Sequence, residues 1–146
     1  MDEAAFRHAR AQTNRLPCVF QGALQARGAT CELMAQRSLA EREMLACTQP
    51  TAHTNCETLL NLFHERATFP LHLQPGVPMT HAVQLRLQCG GLLGLQKALA
   101  STRADVHLMV QQAQICHGSL TELPWSQIVD DIKAWQSRRR AAPKPT

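Results

Sequence analysis

CVFQGALQARGATCELMAQRSLAEREMLACTQPTAHTNC, residues 18–56, carries four of the chain's six cysteines, Cys18, Cys31, Cys47 and Cys56, spaced C-x12-C-x15-C-x8-C. Pro17 biases Leu16 toward an extended conformation directly before Cys18. A short helix or turn is expected over 19–27, with Gly28 as its stop. Thr30 is placed to cap a segment starting at Cys31, which would bring exposed backbone N–H groups near that sulfur and favour its thiolate. Ser38-Leu39-Ala40-Glu41 has the form of a capping box, predicting a helix that runs to Ala46 with Cys47 at its C-terminal end. Pro50 interrupts the next segment. Thr54-Asn55-Cys56-Glu57 is a second such box, predicting a helix to Ala67 with Cys56 in its first turn and Leu59, Leu60, Leu62 and Phe63 on its buried face. Read this way, the cysteines fall at breaks and helix ends, where a chain can turn to bring side chains together.

On the N-terminal side, Asp2 caps a predicted first helix over 2–14 that ends at the Asn14–Pro17 break. On the other side, residues 68–80 contain Pro70, Pro75, Gly76 and Pro78 and read as a connection. Two alternating runs leave a small hairpin open near 69–88. Thr80 as a cap and the leucines continuing to Leu99 favour a helix there. Within it, Cys89-Gly90-Gly91 is the second point of chemical interest. Two glycines inside a helix cost about 1 kcal/mol each, so either another helix or a cluster should approach the bare backbone closely. Asp105 caps an amphipathic helix ending at Gly118, with Val106, Met109, Val110, Ala113 and Cys116 on one face. Pro124 opens a last helix striped by Trp125, Ile128, Val129, Ile132 and Trp135. The expected fold is mainly all-α, a bundle of five or six helices forming one metal-binding domain over 1–137, followed by a basic, disordered tail over 138–146.

At 146 residues the chain buries a core without needing a metal for size alone. Apolar residues make up 45% and charged residues 18%, which sets it apart from disordered chains. Four Phe, two Trp and no Tyr argue against a stacking platform for single-stranded nucleic acid. Much of the net charge of +4 sits in Arg138, Arg139, Arg140 and Lys144. This tail is a weak candidate contact for nucleic acid or an acidic partner and more simply a solvated end. The N-terminus carries acidic residues where a signal peptide needs basic ones, and no run approaches a membrane span, so a cytoplasmic protein is expected. Six cysteines in a reducing compartment point to metal or redox chemistry before disulfides.

The leading expectation is one [4Fe–4S] cluster held by Cys18, Cys31, Cys47 and Cys56, for electron transfer, redox or oxygen sensing, or cluster delivery to a protein partner. Cys89, with Gly90 and Gly91, is an alternate ligand or lies just outside the ligand set. The alternative is a zinc-stabilised protein- or nucleic-acid-interaction module. Zinc sites favour C-x2–4-C knuckles, and this chain has no C-x-x-C, whereas a wider cluster accepts sulfurs from distant segments. His53 is a conceivable substitute ligand, more simply a loop histidine. Cys116 reads as a buried apolar residue. A thiol enzyme or carrier using Cys89 is the weakest reading. No nucleophile elbow, catalytic-cysteine pattern or phosphate loop is present, so an enzyme is not the favoured expectation.

Overall fold

Three helix starts written in the sequence set the frame of the molecule. A computed structural model describes residues 2–137. The basic segment 138–146, and with it any contact through Arg138, Arg139 and Arg140, lies outside the described residues. The Asp2 carboxylate accepts from the Ala5 amide at 2.7 Å and opens α1, Glu3–Thr13. Thr80 accepts from the Val83 amide at 3.2 Å and opens α4, His81–Leu99. Asp105 accepts from the Leu108 amide at 3.1 Å and opens α5, Val106–His117, which ends at Gly118 with φ 79°. Each cap satisfies an amide that the first turn of a helix otherwise leaves without a partner. The remaining helices are α2, Gln21–Gln25, α3, Pro50–Ala67, and α6, Trp125–Ala134.

Helix α4 is the central rod, and its glycines explain why. A Cβ at Gly90 would lie 2.8 Å from the Ile132 Cα, and one at Gly94 would lie 3.0 Å from the Ile128 Cα. The missing side chains therefore let α6 lie directly against α4. A Cβ at Gly91 would fall 2.3 Å from the Phe63 ring, so that glycine admits α3. Arg86 fastens the far end by donating to the Ile132 carbonyl at 3.0 Å and to that of Lys133. Phe63 is the hub of the core: its ring stands edge-on to Phe20 at 6.0 Å and to Trp125 at 5.8 Å between centroids. Leu59, Leu87, Leu92, Leu95, Met109, Ile128 and Ile132 close around it, all buried.

The stretch between Cys31 and Cys47 departs from expectation. Residues 38–46 are not helical. Strands β1, Met34–Leu39, and β2, Arg42–Cys47, form an antiparallel hairpin, with Met34 opposite Cys47 and Leu39 opposite Arg42. Ala40 and Glu41, at φ 51° and 66°, make the two-residue turn. Both central residues lie at positive φ, as a type I′ turn requires. The hairpin left open near 69–88 does not form there, because the chain turns irregularly after α3 and enters α4 at His81. Helix α3 begins at Pro50 rather than at Thr54, since a proline fits the first helical position, where no amide hydrogen is needed. The architecture is mainly α, with one small two-stranded antiparallel hairpin.

Candidate metal centre

Three separately supported parts of the fold deliver the four cysteines. Leu16–Cys18 lies beside β2 through one antiparallel bridge: the Cys18 amide donates to the Leu45 carbonyl at 2.9 Å, and the Cys47 amide donates to that of Leu16 at 2.8 Å. Pro17 pairs with Ala46 between those two bonds, a position where its missing N–H costs no ladder hydrogen bond. Cys18 is thus opposite Leu45, and Cys47 opposite Leu16. The two cysteines are diagonal neighbours leaving the same face, about 7–8 Å apart on general sheet geometry. A disulfide needs Cβ atoms about 3.5–4.5 Å apart, and all six cysteines are free.

Cys31 is held from a different direction. The Thr30 amide donates to the Ala104 carbonyl at 2.9 Å and the Val106 amide to that of Thr30 at 2.8 Å, which ties the chain to the start of α5. The Cys31 sulfur accepts from the backbone N–H groups of Leu33 and His107. Amide donors at this sulfur were anticipated, but they come from the next residues and from α5 rather than from a helix begun by Thr30. Cys56 sits in the second turn of α3, not the first, because the helix starts earlier.

Together these segments surround a small cavity of about 20 Å³ lined by Cys18, Cys31, Cys47, Cys56 and His53, with apolar walls that include Phe20, Leu24, Met34 and Val106. Each of the six pairings among the four sulfurs brings them near enough for their charges to repel. Burial, reinforced by those neighbours, pushes the Cys56 thiol up to about 12. Burial likewise pushes Cys18 up to about 11, against one favourable N–H from Phe20, and raises Cys31. The raised thiols of Cys18, Cys31 and Cys56 keep their protons until a cation replaces them. Among the described residues, no group of three or more His, Cys, Asp or Glu is gathered tightly enough to hold one metal ion.

The chain matches no protein-family model, no curated protein and no solved structure.

His53 lies one turn before Cys56 on the same face of α3. Its Nε2 is 2.8 Å from the Pro17 carbonyl, and its Nδ1 is 3.6 Å from a Glu57 carboxylate oxygen. With one ring nitrogen bonded to the strap before Cys18 and the other facing Glu57, the ring ties α3 to that strap. Cys89 does not line the cavity. It is buried in α4, its sulfur 3.1 Å from where a Gly28 Cβ would stand, and burial alone lifts its thiol to about 11. The neighbouring Gln88 accepts from the Ala23 amide at 2.9 Å. Gln88 and Cys89 therefore prop the loop that runs from Cys18 to Cys31, a role with no signal in the local sequence. Gly90 and Gly91 are occupied by α6 and Phe63. Cys116, expected in the core, is exposed beside Ile115 because the last turn of α5 runs past the apolar layer. Among the described residues, no helix is long and apolar enough to cross a membrane.

Proposed function

We propose that this chain is a small iron–sulfur protein whose Cys18, Cys31, Cys47 and Cys56 hold one [4Fe–4S] cluster. The observation that supports the reading is that four cysteines from segments far apart in sequence line one apolar cavity. That lining suits a group bound through thiolates alone. His53 is already engaged with Pro17 and Glu57 and does not compete as a ligand. Such a cluster supplies a one-electron redox centre whose potential is set by burial, net charge and hydrogen bonds to the sulfurs. Here the chain's own contribution is the apolar wall and the N–H groups of Phe20, Leu33 and His107 directed at Cys18 and Cys31. Electron transfer, redox or oxygen sensing, and cluster delivery to a protein partner all suit this site. The cytoplasm, where free thiols persist, suits six unpaired cysteines.

Anaerobic purification, or reconstitution with iron and sulfide, tests the proposal. The expected outcome is a brown protein with a sulfur-to-iron charge-transfer band and about four iron and four sulfide per chain. Each of Cys18→Ser, Cys31→Ser, Cys47→Ser and Cys56→Ser lowers that content, while Cys116→Ser does not. A colourless protein with one zinc per chain, or one that takes up no metal, overturns the proposal.

A further inference from the structure

Cys56 and Leu33 border two hollows at once. On one side they close the cysteine cavity, and on the other they floor an open cleft of about 350 Å³ between α3 and α5. Of the four cysteines, Cys56 alone lines both. Its sulfur also lacks the backbone N–H donors that hold Cys18 and Cys31.

The cleft has a definite chemistry. Gln49 and Asn55 from the start of α3 face Gln111 and Gln114 from α5, and these four side-chain amides hydrogen-bond to nothing else among the described residues. No carboxylate, ammonium or guanidinium group lines it. His107, at the edge, is 3.8 Å from the Glu32 carboxylate. Neutral amides offer both donors and acceptors and impose no net charge, while an ion passing toward an apolar cavity loses hydration with nothing to replace it.

We infer that this cleft is the way in for small uncharged solutes, of the size of dioxygen or a neutral thiol, which meet the site at Cys56. The purpose of such an entrance rests on the iron–sulfur reading, but its existence does not. It favours a site that reacts to small molecules over one that only passes electrons, because an electron carrier has no need of an open approach to one ligand.

The test uses the full chain, reduced and metal-free, labelled with iodoacetamide and read cysteine by cysteine by peptide mass spectrometry. Gln111→Trp and Gln114→Trp fill the cleft from exposed and half-exposed positions, and Gln127→Trp, exposed on α6, is the control. Each cysteine is compared with itself between wild type and variant, so its intrinsic reactivity cancels. Labelling of Cys56 should slow by about tenfold in the cleft variants, because access limits it there. Cys47 and the exposed Cys116 should keep their wild-type rates, as should every cysteine in the control. An unchanged Cys56 rate in both cleft variants, or equal slowing at Cys18, Cys31 and Cys47, overturns the inference. Iron and sulfide uptake is measured separately. A chain that takes up no cluster yet shows slowing confined to Cys56 keeps the entrance and loses the iron–sulfur reading.

Discussion

Raising the pH from 8 to 10 should destabilise the metal-free protein through its buried sulfurs. The folded chain holds the Cys56 proton up to about 12 and the Cys18 proton up to about 11, against an ordinary value of 9.0. At pH 10 the unfolded chain has released most of these protons and the folded chain has not. The unfolded state then binds fewer protons, so stability falls as pH rises. The contribution is fully present below pH 9 and is lost as pH climbs through the folded values. A thiol shifted this far loses about 1.4 kcal/mol between pH 8 and 10, so Cys18 and Cys56 together lose about 2 kcal/mol once the partial exposure of Cys18 to water is discounted. The raised value of Cys31 acts in the same direction. Urea unfolding of reduced protein, followed by far-UV circular dichroism at pH 8, 9 and 10, measures the loss. The Cys18→Ser, Cys56→Ser double variant gives the background from all other groups, the raised Cys31 and Cys89 included, because serine does not ionise in this range. Parallel pH dependences for wild type and double variant would show that these sulfurs are not buried together. In the loaded protein the same sulfurs are already thiolates, so the alkaline loss should shrink. Loading itself should become tighter with pH, by about tenfold per unit for each proton released.

Three further outcomes follow from particular contacts. His53→Ala removes the bond to the Pro17 carbonyl and should cost about 1 kcal/mol in urea unfolding, with Cys18 labelled faster by alkylation while Cys31 is unchanged. Gly91→Ala drives a methyl into the Phe63 ring at 2.3 Å and should cost about 1–3 kcal/mol, seen as a lower Tm at roughly 3–4 °C per kcal/mol. Cys89→Ala should lower stability by about 1 kcal/mol and leave iron and sulfide content at the wild-type level, because its sulfur supports Gly28 from outside the cavity. A fall in cluster content for that variant, at a temperature where it stays folded, would make Cys89 a ligand after all.

The helices were legible where a cap and an apolar period agreed. Asp2, Thr80 and Asp105 each bind the amide three residues ahead, and the stripe Trp125, Ile128, Ile132 is buried as its spacing requires. The hairpin was not legible, because its turn residues are Ala40 and Glu41. Two-residue turns of this kind usually announce themselves with Asn-Gly or Asp-Gly, and alanine and glutamate each pay about 1–2 kcal/mol to adopt positive φ. The register of β1 and β2, and the bonding of Leu16–Cys18 along β2, make those conformations hold. Ser38 and Glu41 then imitate a capping box across a β-turn. For the site, residue type carried the signal: the four cysteines line one cavity, although Cys47 ends a strand and Cys56 lies inside α3 rather than at a break. Its supports were not written locally. The His107 amide, the Gln88 side chain and the Gly28–Cys89 contact come from segments tens of residues away, and no spacing rule in one sequence points to them.

The hairpin in place of a helix changes what the four cysteines can do. A helix over 38–46 would have carried Cys47 on a rod packed by its own stripe. The strand instead shares its backbone bonds with the Cys18 segment, so Cys18 and Cys47 move as one sheet. Cys31 belongs to the start of α5, and Cys56 belongs to α3. The cavity therefore lies where three independently supported bodies meet, with Phe20 reaching from its wall to Phe63 in the core. A group bound by all four sulfurs would cross-link sheet, α3 and α5, and its loss would release exactly that junction while leaving α4 and α6 locked through Gly90 and Gly94. If the four cysteines hold such a group, its presence would bear most directly on the junction of sheet, α3 and α5. In a sensor, a chemical event there would change that face of the protein first.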